Sequence, residues 1–230
     1  MQVSLRRAKA LGRRLQEWSE RGIIGSRLQE WIWRSRHLYR HGWAHGSLGT
    51  VEHPHRSQIV EAVSSFPLVD SVLEVGCGSG ANLVCLRERL PGTQFIGIDI
   101  NRHAITTARH HFAVRGDKHI RLLAGRADRL TDIPNDGVDV VLTDAVLMFI
   151  APDRIHDVVA ELGRVARKGL VLNEYHCSGE MAGRFDGGRW IYDIVSVLAQ
   201  QLPNARIQTS KSTFVGGLWD TYGTLIEVRL

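Results

Sequence analysis

The chain is short of the residues that would mark several protein classes. It has three cysteines, Cys77, Cys85 and Cys177, an odd number without regular spacing. That excludes a disulfide framework and favours reduced thiols in the cytoplasm. No apolar run approaches the roughly 20 residues needed to cross a bilayer. The basic start, Met1 to Arg14, has no continuous apolar stretch behind it, so a secretory signal is not expected. No internal repeat or low-complexity tract is present. His and Cys show no ligand spacing, and no metal is expected: His37, His41, His45, His53 and His55 read as residues of an arm beside an acidic surface or substrate.

The remainder is the composition of a globular protein, 43% hydrophobic and 23% charged over 230 residues, enough for one α/β core with an appendage. Charge is uneven. Residues 1–50 hold ten Lys or Arg against three Glu, whereas the rest holds 19 against 21 acids. Leu5, Ala8, Leu11, Leu15 and Trp18 recur at helical spacing among arginines. Ser26-Arg27-Leu28-Gln29 has the form of a capping box opening a second helix through Trp31, Ile32 and Leu38. Residues 1–56 therefore read as a basic helical arm or lid, and 57–230 as the core domain.

From residue 57 strands and helices alternate. Strand patterns cover Ser71 to Val75, Gln94 to Ile98, His119 to Leu123, Val138 to Thr143 and Leu170 to Asn173. Helix patterns cover Gln58 to Phe66, Ala81 to Leu90, Arg102 to Val114, Arg154 to Ala166 and Trp190 to Leu202. This alternation predicts an α/β, Rossmann-like, mostly parallel sheet with helices on both faces. Ala205 to Thr209 and Thr224 to Val228 have no helix between them and should close the sheet as an antiparallel hairpin.

Two acids stand out. Glu74 ends a buried-strand pattern just before Gly76-Cys77-Gly78-Ser79-Gly80, and Asp99 ends the next strand. Both should lie at the carboxyl edge of the sheet, where open α/β folds bind ligands. Gly76, Gly78 and Ala81 also satisfy the dinucleotide spacing, so a nicotinamide oxidoreductase competes. Glu74 argues against it: a carboxylate there repels a pyrophosphate but suits the ammonium and sulfonium of an adenosyl cofactor. Asp99 suits a ribose diol, since its oxygens accept from both hydroxyls.

These residues carry a resemblance. Arg56 to Leu230 resembles the class I S-adenosylmethionine-dependent methyltransferases: Glu74-x-Gly76-x-Gly78-x-Gly80 matches the first motif, Gly97-Ile98-Asp99 the second, and Gly125-Arg126-Ala127-Asp128 the third. It implies a seven-stranded sheet, S-adenosylmethionine as cofactor and S-adenosylhomocysteine as product. It further implies that Gly76, Cys77 and Gly78 approach the methionine part, that Gly80 belongs to the same cofactor-binding turn, that Ile100 packs on adenine, and that Ala127 and Asp128 bond its edge. Asp144 would flank the methionine moiety or the acceptor. Thr143-Asp144-Ala145-Val146 lacks the Pro-Pro-aromatic pattern of adenine-base methyltransferases, and no Pro-Cys pair suggests covalent cytosine chemistry.

The expected reaction is therefore methyl transfer to a small molecule, preferably a hydroxyl of a sugar-like or secondary metabolite, with nucleic acid disfavoured as partner. His176, beyond the fifth strand, is the candidate base. Tyr175, Arg184, Arg189, Trp190 and Trp219 are candidate acceptor contacts. Asp144, Asn173 and Glu174 form a weaker set of oxygen ligands for magnesium. The arm reads foremost as a lid over the site, and alternatively as a peripheral membrane contact through Trp18, Trp31 and Trp33. A cofactor-bound scaffold without catalysis is the remaining alternative; the oligomeric state is not readable.

Overall fold

The computed structural model describes residues 11–12, 14–19, 21, 25–39, 42 and 48–230. The expected apolar stripe from Leu5 to Ala8 lies outside them; residues 14–19 are helical and leave Leu15 and Trp18 exposed.

Seven strands form one sheet: β1 Ser71–Val75, β2 Gln94–Asp99, β3 Ile120–Ala124, β4 Val138–Asp144, β5 Ala166–Tyr175, β8 Arg206–Lys211 and β9 Gly223–Arg229, in the order β3-β2-β1-β4-β5-β9-β8. β1 to β5 pair in parallel. β9 runs antiparallel between β5 and β8, as the absence of a crossover helix requires. The strands are apolar on both faces because helices cover both. Val72, Val140, Leu142 and Val171 pack toward the helices Pro54–Ser64, Ala81–Arg89 and Arg102–Val114. Leu73, Val75, Val141, Leu170 and Leu172 pack toward Ile155–Val165 and Ile194–Gln201. Glu74 shares the face of Val72 by strand alternation, which directs it under the first helix layer.

Three local expectations are corrected. The first core helix starts at Pro54, not Gln58: Pro54 occupies the first helical turn, and His53 caps it by accepting from His55 N–H. Ser26 does not form a capping box; its hydroxyl donates to Asp153 at 2.8 Å, its backbone is already helical, and the helix it precedes runs Arg27–Arg34. Finally, Trp190 lies on a strand. β6 Arg184–Asp186 and β7 Arg189–Ile191 form a hairpin across Gly187-Gly188, both at positive φ as a tight two-residue turn demands. The following helix begins only after Asp193, whose side chain accepts from Ser196 N–H. No helix among the described residues is long and apolar enough to cross a membrane.

Candidate active site

A cavity of about 440 Å³ opens at the carboxyl ends of the parallel strands. Asp99, Glu74 and Asp144 stand side by side there, at the tips of β2, β1 and β4. The turn after β1 is built by glycine: Gly76 and Gly78 have φ of +77° and +53°, and the N–H groups of Gly76 and Cys77 donate to Ile98 O, tying the loop to β2.

Glu74 is 2% exposed, and burial pushes its carboxyl up to about 8. Its Oε1 accepts from Asn82 Nδ2 at 2.8 Å, while Oε2 is buried without a hydrogen-bond partner. A buried carboxylate oxygen left unpaired is costly unless a donor arrives from outside the chain. Asp99 Oδ2 accepts from Gly78 N–H at 2.8 Å and Oδ1 from Asn101 N–H at 2.7 Å. Burial raises its pKa, partly offset by those two bonds, and lone pairs on both oxygens stay available to a diol. An ammonium donor fits the orphan oxygen and a ribose fits the neighbour, so the donor set suits an adenosyl amino acid.

Asp144 behaves differently from Glu74. Burial would raise its pKa, but His55, Asn173 and Asn82 together hold it below the ordinary carboxylate range. His55 Nε2 lies 3.1 Å from Oδ2, Asn82 Nδ2 donates to the same oxygen at 3.1 Å, and Asn173 Nδ2 donates to Oδ1 at 2.8 Å. Arg56 donates to Asn82 Oδ1 at 2.6 Å, which turns the Asn82 amide so that its NH₂ bridges Glu74 and Asp144. His55 Nδ1 in turn faces His53 Nδ1 at 2.5 Å. His53 is held below its usual pKa by burial first, then by His55 and Arg56.

The described arm residues form one wall. Ser26, Gln29, Glu30, Trp33 and Arg36 line the cavity. Ser26 is bonded to Asp153, Trp33 O accepts from Asn101 Nδ2 at 2.8 Å, and Glu30 pairs with Arg126 at 2.5 Å. Met148, Phe149, Phe214 and Trp219 also line the cavity, Phe149 in contact with Trp33.

Of the residues singled out in the sequence, Glu74, Gly76, Cys77, Gly78 and Asp99 line the cavity, as do Ile100, Ala127, Asp128, Asp144, Arg189 and Trp219. Asp128 does so as part of an ion cluster: it accepts from Arg126 at 2.8 and 2.7 Å and pairs with Arg154. Burial raises the Cys77 thiol far above its usual range, so it stays a neutral small residue. Gly80 is not a lining residue; at φ +86° it starts the helix Ala81–Arg89 and packs on Phe112.

His176 also lies outside the lining. β5 ends at Tyr175, and the next residue is drawn into the chain around it, with His176 N–H donating to Tyr222 O and its ring 3.8 Å from Asp193. Burial lowers its pKa. Tyr175 packs behind Trp219, Arg184 lies over the Tyr222 ring, and Trp190 is fully buried between Phe185 and Tyr192. Glu174 accepts from Val146 and Leu147 N–H, capping the short turn after β4, and Asp144 is held by His55, Asn82 and Asn173, while Asn173 Oδ1 is buried without a hydrogen-bond partner. No group of three His, Cys, Asp or Glu among the described residues is placed to hold a metal.

Arg56 and Asn82 are among the lining residues that sequence reasoning passed over, and His55 was read there only as an arm histidine. The signal for His55 and Arg56 was the His53-Pro54 step, a cap followed by a helix-starting proline, which brings the next turn into the core.

A family model described as a methyltransferase domain matches residues 72–169. No curated protein matches the chain. Among solved structures, magnesium protoporphyrin IX methyltransferase from Synechocystis PCC 6803 with bound SAM is similar at 15% identity, covering 87% of this chain and 96% of that one with a TM-score of 0.63. A SAM-dependent methyltransferase from Aquifex aeolicus is similar at 16% identity, with 80% and 97% covered and a TM-score of 0.56. A Haloferax volcanii chain in complex with the Trm112 methyltransferase activator is similar at 19% identity, with 86% and 96% covered and a TM-score of 0.63. At these identities the structures establish the fold, and the family match is to a methyltransferase domain. Residues 72–169 of the chain match a methyltransferase domain, and its fold is that of solved S-adenosylmethionine-dependent methyltransferases.

Proposed function

We propose that the chain methylates a hydroxyl of a small cytoplasmic molecule, a sugar-like or other ring-shaped secondary metabolite. The observation that carries this reading is the division of one cavity. Glu74 with its orphan oxygen and Asp99 occupy the β1 and β2 side, whereas the β4 side carries Asp144, His55 and an aromatic wall. Glu74 takes the cofactor's ammonium and Asp99 its ribose; backbone at Gly76, Cys77 and Gly78 lies along the methionine part. Ile100, Ala127 and the Asp128 cluster flank the adenine. The bound cofactor supplies a methyl group on a sulfonium, and the chain's task is to align the acceptor and exclude water.

The acceptor hydroxyl donates to Asp144, and its proton leaves through the His55–His53 pair, the position the sequence had given to His176. His55 is buried, and the half-buried His53 joins it to solvent. Residues 25–36 act as the lid over the cavity. The Synechocystis relative is named for a small-molecule substrate, which agrees with the acceptor class.

The test is a thermal shift with S-adenosylhomocysteine and with NAD, followed by methyl transfer from labelled S-adenosylmethionine to a panel of small hydroxyl compounds. Stabilisation by S-adenosylhomocysteine and label in a hydroxyl acceptor support the reading. Stabilisation by NAD alone, or label only in a nucleic acid or protein, overturns it.

A further inference from the structure

The acceptor side of the cavity holds a guanidinium that the fold does not neutralise. Arg56 lies 3.7 Å from Asp144, and Arg126 and Arg154 both pair with Glu30 and Asp128. Arg189 is different. Among the described residues no carboxylate comes within ion-pair distance of it, not even Asp186, its partner across the β6–β7 hairpin. Its NH1 donates to Gly187 O at 3.2 Å, and the guanidinium carbon sits 5.6 Å from the centre of the Phe149 ring. Both Arg189 and Phe149 line the cavity.

The same cavity has an aromatic lining, in which Phe214 also packs against the His53 and His55 rings. Phe214 and Trp219 stack at 4.5 Å with their planes 17° apart, and Trp33 meets Phe149 edge-on at 4.5 Å. Aromatic faces of this kind receive a planar ring, and a guanidinium resting on one keeps its outer N–H donors free for a bidentate anion. A neutral acceptor would leave that donor fork facing an apolar ligand, while an anionic one entering the cavity would need such a partner.

We propose that Arg189 selects the acceptor, and that the methylated molecule is a flat, largely apolar ring bearing a carboxylate or phosphate besides its hydroxyl. This rests on the methyltransferase reading above and narrows its acceptor class. The ring lies against Phe149 and the Phe214–Trp219 pair, and the anion takes the guanidinium fork at the hairpin end, away from Glu74, where a second negative charge would be repelled.

Calorimetry on the full chain tests it. S-adenosylhomocysteine is titrated first, and the loaded protein is then titrated with 4-hydroxybenzoate and phenyl phosphate, and with their neutral counterparts 4-hydroxybenzamide and phenol. The anions should bind at least about tenfold more tightly than the neutral compounds, a charge-assisted pair being worth about 1.5–3 kcal/mol. Arg189→Gln should bring the two classes within about twofold, Arg189→Lys should restore part of the preference, and S-adenosylhomocysteine affinity should hold throughout. Equal binding of the two classes, no binding of either anion, or a preference that persists in Arg189→Gln overturns the assignment to Arg189. Failure to bind S-adenosylhomocysteine at the first step is a separate result, and it overturns the reading on which the proposal rests.

Discussion

Replacing Glu74 with Gln separates what the carboxylate costs the fold from what it gives the cofactor. Burial pushes this group from an ordinary 4.5 up to about 8. In the unfolded chain it ionises near the ordinary value, so between pH 5 and pH 8 folding takes up a proton. A raised carboxyl pKa contributes stability that is complete below the unfolded value and is lost as pH rises toward the folded one. The loss runs at about 1.4 kcal/mol per pH unit, so a loss on the order of 2–3 kcal/mol accumulates between pH 5 and pH 7. Glu74→Gln keeps the shape and deletes the titration. Any fixed cost of the new amide, whose N–H₂ sits where Oε2 has no partner, is the same at every pH and drops out of the difference. Glu174, also pushed up to about 8, titrates in both proteins and cancels as well.

Denaturant unfolding at pH 5, 6 and 7 in the absence of cofactor is the assay. The variant should gain on the native protein by a difference on the order of 2–3 kcal/mol over that interval. Cofactor binding should show the opposite sign. The ammonium pairs with the ionised form, so S-adenosylhomocysteine affinity in the native protein rises with pH and flattens near pH 8. In Glu74→Gln that dependence disappears and affinity falls by at least about 30-fold, the lower end of a buried charge-pair loss of about 2–5 kcal/mol. Stability profiles that run parallel within about 0.5 kcal/mol would refute the reasoning, because they would mean that Glu74 is not a desolvated carboxyl in the free protein.

Asp99→Ala should weaken S-adenosylhomocysteine binding by about 10- to 100-fold by calorimetry, as charge-assisted bonds worth about 1.5–3 kcal/mol are lost. The same change leaves the N–H groups of Gly78 and Asn101 without their acceptor, so the midpoint of thermal unfolding should fall too. His55→Ala should lower kcat by about 100-fold or more while cofactor affinity stays within a few-fold, whereas His176→Ala should leave kcat within about twofold; the reverse pattern in steady-state kinetics would return the base to His176. Gly80→Ala should destabilise by about 1–3 kcal/mol in denaturant melts, because φ is +86° there and a Cβ would stand 2.8 Å from the Phe112 ring.

By itself the sequence determined the sheet. Apolar strands alternating with amphipathic stretches admit few arrangements other than a parallel sheet covered on both faces, and a tail without a crossover helix admits only antiparallel closure. It also determined the acids at two strand tips, since a strand of known length followed by a glycine turn leaves Glu74 and Asp99 no other place. Both signals are local, carried by residues within a few positions of one another. What the tertiary structure decided is everything that depends on distant segments meeting. His55 read as an arm histidine until the helix starting at Pro54 brought it 89 positions along the chain to Asp144. His176 read as a base because it follows a strand, but the residue after β5 is claimed by Tyr222 and Asp193, neither of which is its neighbour in sequence. Trp190 read as helical because periodicity cannot register a Gly-Gly hairpin next to it, and Ser26 read as a cap although Asp153 takes its hydroxyl. Spacing fixes where a side chain leaves the backbone; which partner captures it is settled only when the fold brings the competitors together.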